Sequence, residues 1–135
     1  MITTLLLDAG GTIFIKKSDG MGIVNPAIIY LNNNIPSSIH VVILSDTDAF
    51  DISKLLQQTF PDLHYDNIYT KMMYPWIDKT KPETYKKVCG LIGKDPTECI
   101  LIDNEVVFKD AAAAVGIKTY NIDQQSIEEF LNNLK

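Results

Sequence analysis

Four short stretches hold the side chains able to do chemistry, each at the end of an apolar run or the start of a helix. Thr3 to Thr12 reads TTLLLDAGGT: three leucines lead into Asp8, and Ala9, Gly10, Gly11 and Thr12 follow at once. An apolar run ending in a carboxylate is the pattern of a buried parallel strand whose last residue emerges at the edge where such sheets bind ligands. Gly10 and Gly11 permit a sharp turn that exposes N–H groups, as a phosphate cradle requires. Alone, this stretch fits a strand with a turn-forming aspartate equally well. Val41 to Ser45 (VVILS) is a second apolar run and ends in a hydroxyl, while Cys99 to Asp103 (CILID) is a third and ends in an acid. Lys79 and Lys81 stand just ahead of a helix start at Pro82. All 12 basic residues are lysines, so the usual bidentate clamp for phosphate, arginine, is missing. An anion held here is held by lysine, hydroxyls and backbone N–H groups, with or without a metal.

These residues need a sheet to bring them together. The first strand ends at Asp8, and further strands are expected at His40–Leu44, Ile68–Thr70, Cys99–Ile102 and Ile117–Tyr120. Helices are expected over Pro26 to about Asn33, with Ile28, Ile29 and Leu31 buried, and from an Asp48 cap through Phe60, with Ile52, Leu55, Leu56 and Phe60 at helical spacing. Three more run over Pro82–Ile92, ended by Gly93, over Val106–Val115, closed by Gly116, and over Gln125–Leu134. Residues 13–24 carry turn glycines and suggest a hairpin or flap beside the site. Strands alternating with helices predict an α/β fold, with a five-stranded parallel sheet covered on both faces and right-handed crossovers, over a single domain of residues 1–135. His40 stands at the polar start of its strand and reads as a strand-end histidine. Met72, Met73, Tyr74 and Trp76 form an oddly apolar loop, read as cover for the core's rim, or alternatively as a contact for a partner or a second copy.

The ordered set Asp8, Ser45, Lys79 and Asp103, each at a strand end or helix start, resembles the haloacid dehalogenase (HAD) superfamily over nearly the whole chain. The resemblance implies a three-layer Rossmann-like fold with Asp8 and Asp103 on neighbouring strands. It implies that Asp8 attacks phosphorus and forms an aspartyl-phosphate, that Ser45 donates to a phosphoryl oxygen, and that Thr12 braces the loop. It also implies Mg²⁺ held by Asp8, the Gly10 carbonyl and Asp103, although Asp103 fits a helix cap as well. For the lysine, a bare Lys-Pro dipeptide favours Lys81. The family's more usual spacing, lysine, proline three later and an aromatic three beyond, selects Lys79, Pro82 and Tyr85. Ala9, Gly10, Gly11, Thr12, Ser45 and Lys79 are then the substrate-binding set.

The departures from that family are as informative. Its phosphatases carry a second aspartate two residues after the nucleophile, which protonates the leaving group and activates water; here that residue is Gly10. Such acid–base catalysis contributes about 10²–10⁴-fold. The extra acid usual near Asp103 is replaced by Asn104 and Phe108, which leaves open whether Glu105 reaches in. No segment between Thr12 and Ser45 or between Ser45 and Lys79 is long enough for a cap domain, so an open cleft is expected.

Composition bounds the alternatives. A 46% apolar fraction and mean hydropathy near zero are those of a globular chain able to bury about two-thirds of its unfolded surface. A net charge of −5 argues against a nucleic-acid partner, and no apolar run approaches a membrane span. The N-terminus runs straight into the first strand, and Cys89 and Cys99 read as reduced, buried thiols, so a cytoplasmic protein is expected. The leading expectation is a slow, Mg²⁺-dependent HAD-like hydrolase, a phosphatase acting on a phosphorylated small molecule or phosphoprotein. A catalytically impaired module that binds a phosphorylated ligand or partner is the alternative. A dehalogenase ranks last because both cap and arginine are lacking, and the Gly-Gly-Thr turn argues against a receiver-like phosphoacceptor.

Overall fold

The computed structural model describes the chain except residues 11, 17–21, 47, 48, 104 and 135. Its centre is β1 (Thr4–Asp8), buried along its whole length. Parallel strands flank it on both sides: β4 (His40–Ser45) pairs it from Thr4↔His40 to Asp8↔Leu44, and β6 (Cys99–Ile102) from Thr4↔Cys99 to Leu7↔Ile102. Outside these lie β5 (Asn67–Thr70) against β4 and β7 (Lys118–Tyr120) against β6, giving the order β5-β4-β1-β6-β7, parallel throughout. A separate antiparallel hairpin, β2 (Phe14–Lys16) with β3 (Gly22–Val24), follows β1. It lies within residues 13–24, where the sequence suggests a hairpin or flap, and residues 17–21 lie outside the described set.

The pleat sends alternate side chains of β1 to opposite faces. Leu5 and Leu7 enter one core with Val41 and Ile43, beneath α1 (Pro26–Asn34), α2 (Ala49–Thr59) and α5 (Gln124–Asn133). Leu6 enters the other with Val42, Leu44 and Leu101, beneath α3 (Pro82–Ile92) and α4 (Val106–Ala113). Strands buried on both faces must be apolar at every position, which is why β1, β4 and β6 appear as unbroken runs. Truncating any one of these leucines to alanine costs about 2–5 kcal/mol.

Boundaries shift where local bonding decides them. α4 stops at Ala113 and not at Val115, because Val115, Gly116 and Ile117 fold back onto Ala112 and Ala113 in a tightened last turn, with Gly116 at φ 99°. α3 does end at Gly93, whose φ of 69° makes the left-handed cap. α5 begins at Gln124, capped by the Asp123 side chain, which accepts from the Ser126 N–H. Ile29 and Leu55 lie outside the core and are exposed, so the buried faces of α1 and α2 are narrower than their apolar spacing suggests. The expected Asp48 cap lies outside the described residues. Cys89 and Cys99 are free and buried, their sulfurs 3.8 Å apart. No described helix is long and apolar enough to cross a membrane.

Candidate active site

The register brings the chemistry to one edge. Asp8 ends β1, Ser45 ends β4 beside it, and Asp103 follows β6 directly after the Leu7↔Ile102 pair. Lys79 arrives from the loop between β5 and α3. That loop is pinned at both ends: Tyr74 N–H donates to the Thr70 carbonyl, Ile77 is fully buried, and the Tyr85 hydroxyl donates to the Lys79 carbonyl at 3.0 Å. Asp78 accepts from the Thr80 N–H at 3.0 Å, which turns the chain around Lys79. The Lys79 ammonium then donates to Asp8 Oδ1 at 2.6 Å. Lys81, two residues on, is exposed at the cap position of α3. The spacing Lys79-Pro82-Tyr85 thus has a physical reason, since a buried tyrosine one turn into the helix ties down the lysine's backbone.

Among the described residues the buried charged side chains are Asp8, Lys79 and Asp103, each 7% exposed or less, and all gather at this edge. Charge is not buried without compensation. Burial pushes the Asp8 carboxyl up to about 6, against the pull of Lys79 and with a further push from Asp103. Asp103 Oδ1 accepts from the Glu105 N–H at 2.9 Å, so this acid also caps the turn into α4. Burial and the two acids push the Tyr85 hydroxyl upward, which keeps it a donor to Lys79. On the far side of Lys79 the Phe108 ring lies 4.8 Å from the ammonium, an aromatic face where the resemblance places an acid.

Above this floor opens a cleft of about 260 Å³ lined by Asp8, Gly10, Ser45, Asp46, Lys79, Glu105 and Phe108. Asp103 lies beneath the lining and not in it. Ala9 is buried beside the cleft, and Thr12 is buried with its hydroxyl unpartnered among the described residues, so no bracing bond from it is seen. Gly11 and Asn104 lie outside the described residues. Asp46 and Glu105 are the additions that the sequence reading missed or left open. Asp46 directly follows Ser45 at the end of β4, and Glu105 stands two residues after Asp103, so closeness in the chain to these residues is the signal that finds them. Two clefts elsewhere, near α1 with α5 and near α4 with β7, contain no buried charge.

The donor set suits magnesium better than a metal that demands a full protein cage. No three acids, histidines or cysteines among the described residues are grouped to hold an ion by themselves. Mg²⁺ is characteristically held by one or two carboxylates, with water and phosphate completing its shell. Asp8 and Asp103, whose charges oppose each other, meet that description.

No protein-family model and no curated protein sequence matches the chain. Solved structures do. A HAD family enzyme of Bacteroides thetaiotaomicron, in complex with magnesium and inorganic phosphate, aligns at TM-score 0.73 and 18% identity over 90% of this chain and 94% of that one. A HAD-superfamily hydrolase, subfamily IA, variant 1, of Geobacter sulfurreducens aligns at 0.75 and 12% identity over 98% of this chain and 100% of that one. An L-2-haloacid dehalogenase aligns at 0.63 and 19% identity over 73% of this chain, which spans 41% of that larger protein. The chain therefore has the three-layer Rossmann-like fold of the HAD superfamily, without an inserted cap in the described segments between Thr12 and Lys79.

Proposed function

We propose that the chain is a Mg²⁺-dependent HAD-like hydrolase, a slow phosphatase that works through an aspartyl-phosphate on Asp8. The observation that carries this reading is the buried Asp8–Lys79 pair, 2.6 Å apart, on the floor of an open cleft. A carboxylate attacks phosphorus only where the phosphate's charge is balanced, and Lys79 balances aspartate and phosphate together. Ser45 donates its hydroxyl to a phosphoryl oxygen. Asp8, the Gly10 carbonyl and Asp103 hold the Mg²⁺, which when bound neutralises the phosphate and the mutual repulsion of the two acids. The magnesium and phosphate found with the Bacteroides enzyme support this assignment. Once Asp8 has attacked, the ester bond breaks and the leaving group departs without a donated proton, because residue 10 is glycine. Unassisted water then cleaves the acyl phosphate, and turnover is slow. The uncapped cleft admits a phosphoprotein as readily as a small phosphate ester. Free Cys89 and Cys99 fit a cytoplasmic protein, and Met72, 71% exposed, offers a contact for a second copy.

The test is hydrolysis of acetyl phosphate and an aryl phosphate with and without Mg²⁺. Wild type should turn over both only with the metal, and Asp8→Asn should lose at least about 10⁴-fold, as removal of a nucleophile does. Turnover that survives in Asp8→Asn overturns the mechanism. The second reading, a module that binds phosphorylated ligands without turnover, is favoured by the Phe108 ring beside Lys79. It stands if phosphate binds and neither substrate is cleaved.

A further inference from the structure

Gly10 lines more than the active-site cleft. On the other side of that residue lies a second groove of about 260 Å³, lined by Ala9, Gly10, Phe14, Asp51, Ile52 and Leu55. Gly10 lines both spaces, is exposed, and among the described residues nothing lies within 4 Å of where a Cβ would stand. Apart from Asp51 on the first turn of α2, the lining is glycine and hydrocarbon. Leu55 is 39% exposed although its helical spacing calls for burial, and Phe14 on β2 is half-buried. The apolar face of α2 thus runs beyond the core and into the groove. Its volume exceeds the roughly 150 Å³ that accommodates benzene in an apolar cavity.

We propose that this groove is the leaving-group subsite and that the substrate class is aryl phosphates. The inference rests on the phosphotransfer reading of Asp8 and adds what lies beyond the phosphoryl group. With phosphorus held between Asp8, Ser45 and Lys79, Gly10, which lines both spaces and carries no side chain, stands between the phosphoryl site and an apolar surface sized for an aromatic ring. The chemistry agrees with the shape. An Asp8 oxygen bonds to phosphorus, the bond from phosphorus to the aryl oxygen breaks, and the aryloxide leaves with the electron pair, taking its proton from water. A phenol ionises at about 10, whereas bulk water, which simple alcohols resemble, needs about 15.7. An aryloxide is therefore expelled without the acid that Gly10 lacks. Water then cleaves the acyl phosphate, returning the Asp8 carboxylate and inorganic phosphate.

The experiment is calorimetric binding of two uncleavable probes, 1-naphthylmethylphosphonate and methylphosphonate, to the full chain with Mg²⁺. The naphthyl probe should bind about 10–200-fold tighter, the range typical of hydrophobic pockets. Leu55→Ser, at an exposed position, and Phe14→Ala should each shrink that ratio. Equal affinities in the wild type overturn the subsite even if acetyl phosphate is hydrolysed. A large ratio, reduced by both variants, in a protein that cleaves no phosphate upholds the subsite and overturns the hydrolase reading instead. Competition between phenyl phosphate and a phosphotyrosyl peptide then distinguishes a free aryl phosphate from a modified protein as the source.

Discussion

The floor and the rim of the cleft are built in opposite ways. Asp8, Ser45 and Asp103 terminate strands whose preceding residues are buried on both faces, and Lys79 is tied to the core through Tyr85. Gly10, Asp46 and Glu105 are exposed on the turns that follow those strands, and Phe108 is half-buried in the first turns of α4. Moving a floor residue means repacking the sheet, whereas a rim residue can change with little disturbance. The floor keeps the residues on which the sequence resemblance rests, and the rim holds the departures from it. On the proposed reading, binding and nucleophilic attack fall to the floor, and leaving-group choice falls to the rim.

The largest effect expected across this divide is at Gly10. Its φ is not positive and its Cβ direction is open, so an aspartate fits without strain. Gly10→Asp should raise steady-state turnover of an alkyl phosphate by up to about 10²–10⁴-fold and change the first step with 4-nitrophenyl phosphate little. A stably folded Gly10→Asp protein inactive under saturating Mg²⁺ removes the disabled-hydrolase reading in favour of the binding module.

Next in size is the floor itself. Lys79→Met leaves Asp8 buried without its cation and should cost about 3–5 kcal/mol in denaturant unfolding, with loss of phosphate affinity. Lys81→Met should stay within about 0.5 kcal/mol. An equal or larger loss of phosphate affinity at Lys81 reverses the assignment.

The raised Asp8 carboxyl gives a smaller, pH-dependent effect. Between its ordinary 3.8 and about 6, the folded chain holds a proton that the unfolded chain has released. Folding is therefore relieved below 3.8 and burdened above 6, and stability falls as pH rises through that window by about 3 kcal/mol. Metal-free unfolding curves from pH 3.5 to 7 should show this fall in wild type and not in Asp8→Asn. Parallel profiles refute it. Smallest is the rim contact at Phe108: Phe108→Leu should weaken the hold on Lys79 by about 0.5–2 kcal/mol, whereas Phe108→Tyr should keep it. Leucine and tyrosine of equal stability would reduce the ring to a filler.

What was legible in the sequence follows the same divide. β1, β4 and β6 could be read because double-sided burial leaves no polar residue to blur the run, and Asp8, Ser45 and Asp103 are simply what comes next. Lys79 was separable from Lys81 only through the spacing to Pro82 and Tyr85, whose cause is a hydrogen bond made across the fold. Leu55 and Ile29 were misread because periodicity counts apolar residues without knowing where a helix rolls off its sheet. The Phe108–Lys79 contact and the entry of Asp46 into the cleft were invisible, since both depend on loop paths that no local pattern encodes.

The central position of β1 also governs when the site can exist at all. Both of its neighbours lie later in the chain, β4 beginning at His40 and β6 at Cys99. During synthesis the first five strand residues emerge with no partner, then gain one flank, and gain the other only when most of the protein has been made. Distant parallel pairings of this kind form slowly, and their apolar strands are prone to aggregate while they wait. Asp8 is the earliest residue of the candidate site to be translated and among the last to find its surroundings, so a chain arrested before Ile102 carries the proposed nucleophile with neither Asp103 nor a closed sheet around it.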